Sequence, residues 1–141
     1  MSEHLDRLVA FYETLTRDSV GQVRVLYAAD AWFKDPFNEV QGAAAIERIF
    51  RHMFEQVDAP RFVVGDRFEG PQGAMLTWEM RFRMRGREEC VQGASLLRFD
   101  ESGRVVDHRD YWDAAEELYA KLPLLGALMR RLQRALRAPQ A

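Results

Sequence analysis

The chain has 141 residues, of which 48% are hydrophobic and 30% are charged, and its formal net charge is −2. These values are typical of one folded domain with its own core, and they exclude a disordered chain and a strongly basic nucleic-acid binder. The single cysteine, Cys90, excludes an internal disulfide and a multi-cysteine metal site.

The N-terminal residues, Met1 to Arg7, are charged and contain no continuous apolar stretch of the kind found in secretory signals. No segment approaches the ~18 uninterrupted apolar residues of a membrane-spanning helix. The sequence therefore predicts a cytoplasmic protein without a membrane partner. Its expected partners are a small molecule or a second copy of itself.

Two helices are predicted at the start of the chain. Residues 3 to 16 place apolar side chains at helical spacing, and they follow Ser2, whose residue type caps helix N-termini. A second helix follows from Ser19, because Ser19 and Gln22 have the spacing of a capping box. Its predicted buried face includes Tyr27.

A short extended piece and a third helix come next. Ala31 to Asp35 is predicted to be extended, because Pro36 disfavours helical geometry at the residue before it. Gly42 precedes a helix over residues 43 to 56, whose apolar positions form a broad stripe.

From residue 61 the pattern changes to alternation of apolar and polar residues, which is typical of strands. The last three predicted strands are joined by short turns, so the sheet is expected to be largely antiparallel and the fold class α+β. The predicted strands cover residues 61 to 69, 74 to 84, 88 to 99 and 104 to 112.

The last predicted strand carries polar residues on both faces. His108, Asp110 and Trp112 alternate onto the same face. A sheet face that packs on helices is normally apolar, so these residues predict an internal cavity with polar groups if their face is the inner one.

The tail forms a helical extension, residues 114 to 141, of a domain that covers residues 1 to 113. Its helix is interrupted at Pro123 and resumes with a stripe of leucines among arginines. We expect the leucines to pack on the body of the protein or on a second subunit, and the arginines to be solvated.

Four motifs follow one another along the chain: Tyr27-Ala28-Ala29-Asp30-Ala31 leading to Asp35-Pro36-Phe37, Gly42 with Ile46, Leu97-Arg98-Phe99-Asp100-Glu101-Ser102-Gly103-Arg104, and Tyr111-Trp112. In this order and spacing they resemble the ketosteroid isomerase and SnoaL-like group of the nuclear transport factor two superfamily. The resemblance covers about residues 5 to 113. It implies a cone-shaped fold with three N-terminal helices packed in a curved, largely antiparallel sheet, plus an extra C-terminal helix.

The resemblance also implies site residues. Asp35 falls on the family's general-base aspartate, which moves a proton α to a carbonyl. The isomerases stabilise the dienolate with a tyrosine and a protonated aspartic acid. An ungapped comparison places Phe11 and Ser95 at those two positions, with Tyr12 one residue away. Loss of one such donor costs about 3 kcal/mol of transition-state stabilisation, so steroid isomerisation is not expected.

SnoaL-type polyketide cyclases are a closer likeness, because they use an aspartate and a nearby histidine for the proton transfers of an intramolecular aldol closure. The catalytic candidates are therefore Asp35, His108 and Asp110, with either aspartate as the base and His108 as its proton partner. The residues expected to contact a substrate are Tyr12, Tyr27, Trp32, Phe54, Trp78, Met80, Phe82, Ser95 and Trp112.

Each assignment has a structural alternative. Asp35 is also suited to capping the turn at Pro36, and His108 is also suited to a hydrogen-bonded interior position. The leading hypothesis is a protein that binds a small hydrophobic carbonyl compound, with isomerase or cyclase activity. The alternative is a non-catalytic ligand-binding or dimerisation module.

No cofactor, metal or nucleic acid is expected. Rossmann and P-loop glycine patterns are absent, and the three histidines, His4, His52 and His108, fall in separate elements. The limonene epoxide hydrolase branch of this fold uses an Asp-Arg-Asp arrangement, whereas the strand over residues 74 to 84 offers no aspartate. A homodimer is expected, because the outer sheet face and the tail helix both need cover.

Overall fold

One six-stranded sheet with helices packed against it makes up the computed structural model of the chain, which describes residues 2–113 and 123–137. The helices are α1 (Glu3–Glu13), a 3-10 turn (Val20–Gln22), α2 (Val23–Leu26), α3 (Ala43–Gln56) and α4 (Pro123–Leu136). The strands are β1 (Tyr27–Lys34), β2 (Glu39–Gln41), β3 (Asp58–Gly70), β4 (Gly73–Met84), β5 (Arg87–Phe99) and β6 (Val105–Tyr111). The predicted α+β class with a largely antiparallel sheet is confirmed.

The strand order is β2-β1-β6-β5-β4-β3, and the pairing of β1 with β6 is the parallel one. This pair brings Phe33 opposite His108, while β5 and β6 set Leu97 opposite His108 from the other side. Helix α1 packs on β3, and α3 packs on β1 and β3. Residues on the inner face of β4, β5 and β6 therefore point at the helices.

The core is formed between the helices and this inner face. The most completely buried large side chains come from the first three helices, from the 3-10 turn, from β1 and from the central strands, and a buried aliphatic side chain contributes about 1.5–3 kcal/mol by leaving water. They are Tyr27, Leu5, Leu8, Ile46, Leu76, Leu97, Val9, Val20, Val23 and Val105.

The first helix is shorter than predicted. It ends at Glu13 rather than near residue 16, and the Thr14 hydroxyl donates to the Ala10 carbonyl at 2.6 Å. Ser2 stands before the helix but makes no capping bond, because its hydroxyl donates to Glu69 on β3 at 2.9 Å.

The predicted capping box at Ser19 was wrong. Ser19 pairs with Thr16 instead: the Thr16 backbone N–H donates to Ser19 Oγ at 2.9 Å, and the Ser19 N–H donates to Thr16 Oγ1 at 3.2 Å. The second helix is consequently only a 3-10 turn followed by one α-helical turn.

Strand β1 begins at Tyr27, four residues before the predicted extended piece. Tyr27, predicted on a helix, has extended backbone and pairs with Val105 of β6. The short strand β2 was not predicted; it pairs with β1 and leads into Gly42, whose φ of 108° suits glycine at the entry to α3. Pairing with the distant strand β6 accounts for the early start of β1, and pairing with the adjacent strand β1 accounts for β2.

Helix α4 covers Pro123–Leu136, in the stretch where the predicted tail helix resumes. The predicted helical stretch between residues 114 and 122 lies outside the described residues. Three leucines of the stripe, Leu128, Leu132 and Leu136, are 50%, 46% and 85% exposed in the single chain. Within the described ranges, no helix is both long and apolar enough to span a membrane.

Candidate functional site

A small chamber lies between the N-terminal half of the chain and the inner face of the sheet. Its walls come from α1, α3 and four strands, and they are mostly aromatic or aliphatic, with a few polar groups. The lining residues are Tyr12, Phe50, Phe62, Val64, Trp78, Ser95, His108 and Asp110. The volume open to the centre of a water molecule is about 30 Å³, which is enough for one or two waters.

His108 lies at the centre of this site. Strand β6 holds it on the inner face with only 3% of its surface exposed, and the edge of its ring meets Phe33 at a centroid distance of 4.8 Å. The ring is also stacked beside Tyr27 at 5.9 Å. The aromatic walls thus fix the plane of the imidazole, which sets the direction of its two nitrogens.

Both nitrogens of His108 are hydrogen-bonded. Nε2 lies 2.6 Å from Asp110 Oδ1, and Nδ1 lies 2.7 Å from the Tyr27 hydroxyl. The Tyr12 hydroxyl is 2.5 Å from that of Tyr27 and 3.4 Å from Nδ1. A neutral imidazole satisfies this chain: Nε2–H donates to the carboxylate, Nδ1 accepts the Tyr27 proton, and Tyr12 donates to Tyr27. Four side chains from α1, β1 and β6 therefore form one hydrogen-bonded row.

The two carboxylate oxygens of Asp110 have different surroundings. Oδ1 accepts from Ser95 Oγ at 2.5 Å as well as from His108, and the Trp78 indole N–H in turn donates to Ser95 Oγ at 2.9 Å. Oδ2 makes no hydrogen bond with any residue in the described part of the chain. One oxygen is anchored and the other is left available, in a side chain that is 17% exposed.

Burial raises the pKa of both Tyr12 and Tyr27 well above the usual range. The negative charge of Asp110 adds to the rise for both phenols, whereas the hydrogen bond with Tyr27 partly opposes it for Tyr12. Both tyrosines are therefore neutral hydroxyls across the physiological pH range, and they act as hydrogen-bond donors rather than as bases.

A larger and more open cleft lies beside the chamber, with a volume of about 560 Å³. The ends of β1 and β6 and the segments that follow them form its walls. The lining residues are Lys34, Asp35, Pro36, Arg109, Asp110, Tyr111, Trp112 and Asp113. Asp110 lines both spaces, so it is the residue that the cleft and the chamber share.

Asp35 lies in the cleft and not in the chamber. Its Oδ1 accepts the backbone N–H groups of Phe37 at 2.8 Å and Asn38 at 2.6 Å, and the Asn38 side-chain amide reaches both carboxylate oxygens at 3.1 and 3.2 Å. This pattern is an Asx turn that shapes the loop around Pro36. The structure therefore brings His108, Asp110, Tyr12 and Tyr27 together and leaves Asp35 outside their hydrogen-bonded row.

The predicted contact residues divide between several regions. Trp78 and Ser95 line the chamber, and Trp112 lines the cleft. Trp32 is 51% exposed, and Phe54 lies under the guanidinium of Arg17 at 5.7 Å. The chamber lining does not include Met80 or Phe82, which lie further along β4.

Three chamber residues were not among the predicted contacts: Phe50, Phe62 and Val64. Phe50 belongs to the apolar stripe of α3, and Phe62 and Val64 alternate along β3. Periodicity assigns such residues to the core, but it does not tell which core residues border a space. Among the described residues no group of three or more His, Cys, Asp or Glu side chains could hold a metal ion.

Comparison with known proteins gives a family and a fold. A family model described as a SnoaL-like domain matches residues 8–108. No curated protein matches the sequence significantly.

Several solved structures are similar over most of the chain. An NTF2-like protein of unknown function from Burkholderia pseudomallei is 21% identical, covering 82% of this chain and 95% of that one, with a TM-score of 0.72. A hypothetical protein with a ketosteroid isomerase-like fold from Catenulispora acidiphila, in complex with trimethylamine, is 16% identical, covering 87% and 95%, with a TM-score of 0.72. An LEH-like epoxide hydrolase of M. tuberculosis is 14% identical, covering 96% and 97%, with a TM-score of 0.68. These likenesses establish the fold.

Proposed function

The chain belongs to the SnoaL-like family, and on that premise we propose that it is a cofactor-independent acid–base enzyme that removes a proton α to the carbonyl of a small hydrophobic compound. One observation carries the proposal. Asp110 lines both the chamber and the cleft, and its carboxylate has Oδ1 held by Ser95 and His108 and Oδ2 without a partner among the described residues. A general base needs such an arrangement, in which orientation is fixed and one lone pair is left to accept the proton.

In the proposed reaction Asp110 Oδ2 takes the α proton, and the electron pair of the broken C–H bond forms the C=C bond of an enolate. The former carbonyl oxygen takes the negative charge. Asp110 then returns its proton, either to another carbon, as in an isomerase, or to the alkoxide formed when the enolate carbon attacks a second carbonyl, as in a cyclase. Atoms and charge balance in both cases without a cofactor.

Tyr12 is the proposed donor to the enolate oxygen. Tyr12 lines the chamber, and its raised pKa keeps the hydroxyl protonated, so in the proposed reaction it turns from Tyr27 toward the developing negative charge. Such donors in a water-poor site typically contribute about 3 kcal/mol of transition-state stabilisation. His108 acts as the proton partner of Asp110: it holds the carboxylate through Nε2–H and is itself held by Tyr27.

The sizes of the two spaces support division of a substrate between them. About 30 Å³ in the chamber admits only a slim group, whereas about 560 Å³ in the cleft is within the usual range of ligand sites. We assign the reacting end of the substrate to the chamber mouth and its apolar remainder to the cleft, beside Trp112. Asp35 supports this site as a turn-forming residue rather than as the base.

The test is hydrogen–deuterium exchange α to the carbonyl, followed by NMR for a panel of small aryl and alkyl ketones in D₂O. We expect exchange with the wild type and a loss of about 10²-fold or more in Asp110→Asn, which keeps the shape of the side chain. Asp35→Asn is the matched control and should retain exchange. Loss in Asp35→Asn with retention in Asp110→Asn would reverse the assignment.

Absence of exchange with every ketone, together with saturable binding of the same ketones, would favour the non-catalytic ligand-binding module instead. The small free volume of the chamber is the observation that supports this second function. Binding is measured separately by NMR titration, so the two functions give different results.

A homodimer is the proposed assembly. The leucines of α4 and the half-exposed Trp32 and Tyr111 provide apolar surface for a second copy to cover. Light scattering at micromolar concentration is expected to give twice the chain mass, and a monomeric mass would contradict the proposal.

A further inference from the structure

The Trp78 side chain packs in a defined position against β5, which we call its seat. Its indole N–H donates to Ser95 Oγ at 2.9 Å, and its ring meets Phe62 edge to face at a centroid distance of 5.7 Å. Strand β4 pairs Trp78 directly with Gly93. The indole is therefore fixed from three sides, by a hydrogen bond, by an aromatic neighbour and by the strand next to it.

Gly93 is the residue that allows this seat. A Cβ atom at residue 93 would lie 2.5 Å from Cη2 and 2.6 Å from Cζ2 of Trp78, and 3.1 Å from Cβ of Trp112. Gly93 is not among the described glycines with positive φ, so backbone conformation does not demand glycine here. Glycine is needed here because the indole of Trp78 lies so close to the strand. Any larger residue would push the Trp78 ring off the strand and toward the chamber.

The same row of residues borders both spaces of the site. Trp78 lines the chamber, Trp112 lines the cleft, and Gly93 lies close to both side chains. With Trp78 in its seat, the space beside Asp110 and His108 has room for only one or two water molecules. The position of one indole thus limits how far any substrate can extend past the carboxylate.

We propose that Trp78, seated by Gly93 and Ser95, determines substrate specificity by restricting the reacting end to a methyl- or methylene-sized group. This inference rests on the proposed function. It names the substrate class as slim carbonyl compounds, in which the carbon that loses its proton is unbranched and the bulk lies on the other side of the carbonyl, in the cleft. Compounds with a ring at the reacting carbon are excluded.

The test uses phenyl ketones that grow at the reacting end only: acetophenone, propiophenone and butyrophenone. Binding is measured by NMR titration and α-proton exchange is measured separately. In the wild type we expect affinity to fall by about tenfold or more with each added methylene, the usual discrimination of a restricting pocket. Trp78→Ala should level or reverse this order, because it removes the restricting wall.

Gly93→Ala provides the opposite change, since it keeps Trp78 and moves it inward. It should weaken binding of acetophenone and shift the tryptophan fluorescence. Trp78→Phe keeps an aromatic wall without the N–H donor and is expected to fall between the wild type and Trp78→Ala, which covers the case in which Trp78→Ala does not fold. Phe68→Ala, which removes an exposed aromatic side chain outside the chamber and the cleft, should preserve the wild-type order.

The size order decides the inference, and exchange decides the proposed function. An unchanged order in Trp78→Ala or Trp78→Phe would overturn the inference, as would failure of the wild type and both variants to bind any of the three ketones. A shifted order without exchange in any protein would leave the specificity role standing and remove the proposed catalysis. Exchange that is lost in Asp110→Asn but unchanged in the Trp78 variants would support the proposed catalysis and remove the specificity role of Trp78.

Discussion

His108 Nε2 lies 2.6 Å from Asp110 Oδ1, two residues further along β6 and on the same face of the sheet. An imidazole that is almost fully buried thereby contacts a carboxylate that reaches the cleft. This contact is the junction between the interior hydroxyl row and the open part of the site. The first prediction tests it.

Removal of the His108 ring is expected to affect stability and exchange together. His108→Ala removes one hydrogen bond from the Tyr27 hydroxyl, which keeps Tyr12, and one from Asp110 Oδ1, which keeps Ser95, and each lost bond costs about 0.5–1.5 kcal/mol. Urea unfolding measures this loss. His108→Gln, whose amide can still donate to Asp110, should recover part of the exchange rate that His108→Ala loses. Equal exchange rates in His108→Ala and the wild type would contradict the role of His108 as proton partner.

Substitutions of the two buried tyrosines are expected to differ in their effects on exchange rate and on stability. Tyr12→Phe removes the proposed donor to the enolate and should lower the exchange rate by about 10²-fold, with little change in stability. Tyr27→Phe removes the hydroxyl that contacts Nδ1 of His108, so it should cost about 1–2 kcal/mol of unfolding free energy and lower exchange less. Urea unfolding and exchange rates are measured for both variants. Equal losses of stability and of exchange rate in Tyr12→Phe and Tyr27→Phe would argue against distinct roles.

Alkaline pH is expected to destabilise the protein through Tyr12 and Tyr27. Burial raises the pKa of both in the folded state, so above pH ~10 the unfolded chain releases protons that the folded chain retains. Stability from this source is fully present below the unfolded value and falls above it by up to about 1.4 kcal/mol per pH unit for each tyrosine. Urea unfolding between pH 9 and 11 measures the slope, which should be shallower in the Tyr12→Phe/Tyr27→Phe double variant.

Asp35 is expected to matter for the loop and not for proton transfer. Asp35→Ala removes the acceptor for the backbone N–H groups of Phe37 and Asn38, and we expect a loss of about 1 kcal/mol in urea unfolding. Asp35→Asn keeps one acceptor oxygen and should be close to the wild type. Neither variant should change the exchange rate by more than about twofold once folding is complete.

The positions of Asp35 and Asp110 differ in how far the sequence predicts them. Alternation along the last strand was enough to put His108 and Asp110 on one face, because side chains in a strand repeat every two residues. The residue type and the following proline do not predict whether the Asp35 side chain points at a substrate or at its own loop. Asn38, three residues later, decides that question by donating to both carboxylate oxygens.

Non-local contacts explain the other differences. The pairing of β1 with β6 extends β1 back to Tyr27, and no local pattern around Tyr27 contains its partner Val105. In the same way, apolar periodicity identified the α1 stripe that includes Tyr12, but not the space that its hydroxyl borders. The free volume beside Trp78 depends on glycine at residue 93, on a neighbouring strand.

The parallel pairing of β1 with β6 also determines when the site forms during folding. Tyr27 and His108 are 81 positions apart, and Tyr12 and His108 are 96 apart, so closing this row requires nearly the whole domain to come together. Contacts of such long range carry a large loop-closure cost and form late. On a ribosome, helices α1 and α3 are synthesised well before β6. The hydroxyls of Tyr12 and Tyr27 can therefore bond to His108 only after nearly the whole domain has been made. We therefore expect the hydrogen-bonded row to be among the last parts of the molecule to form.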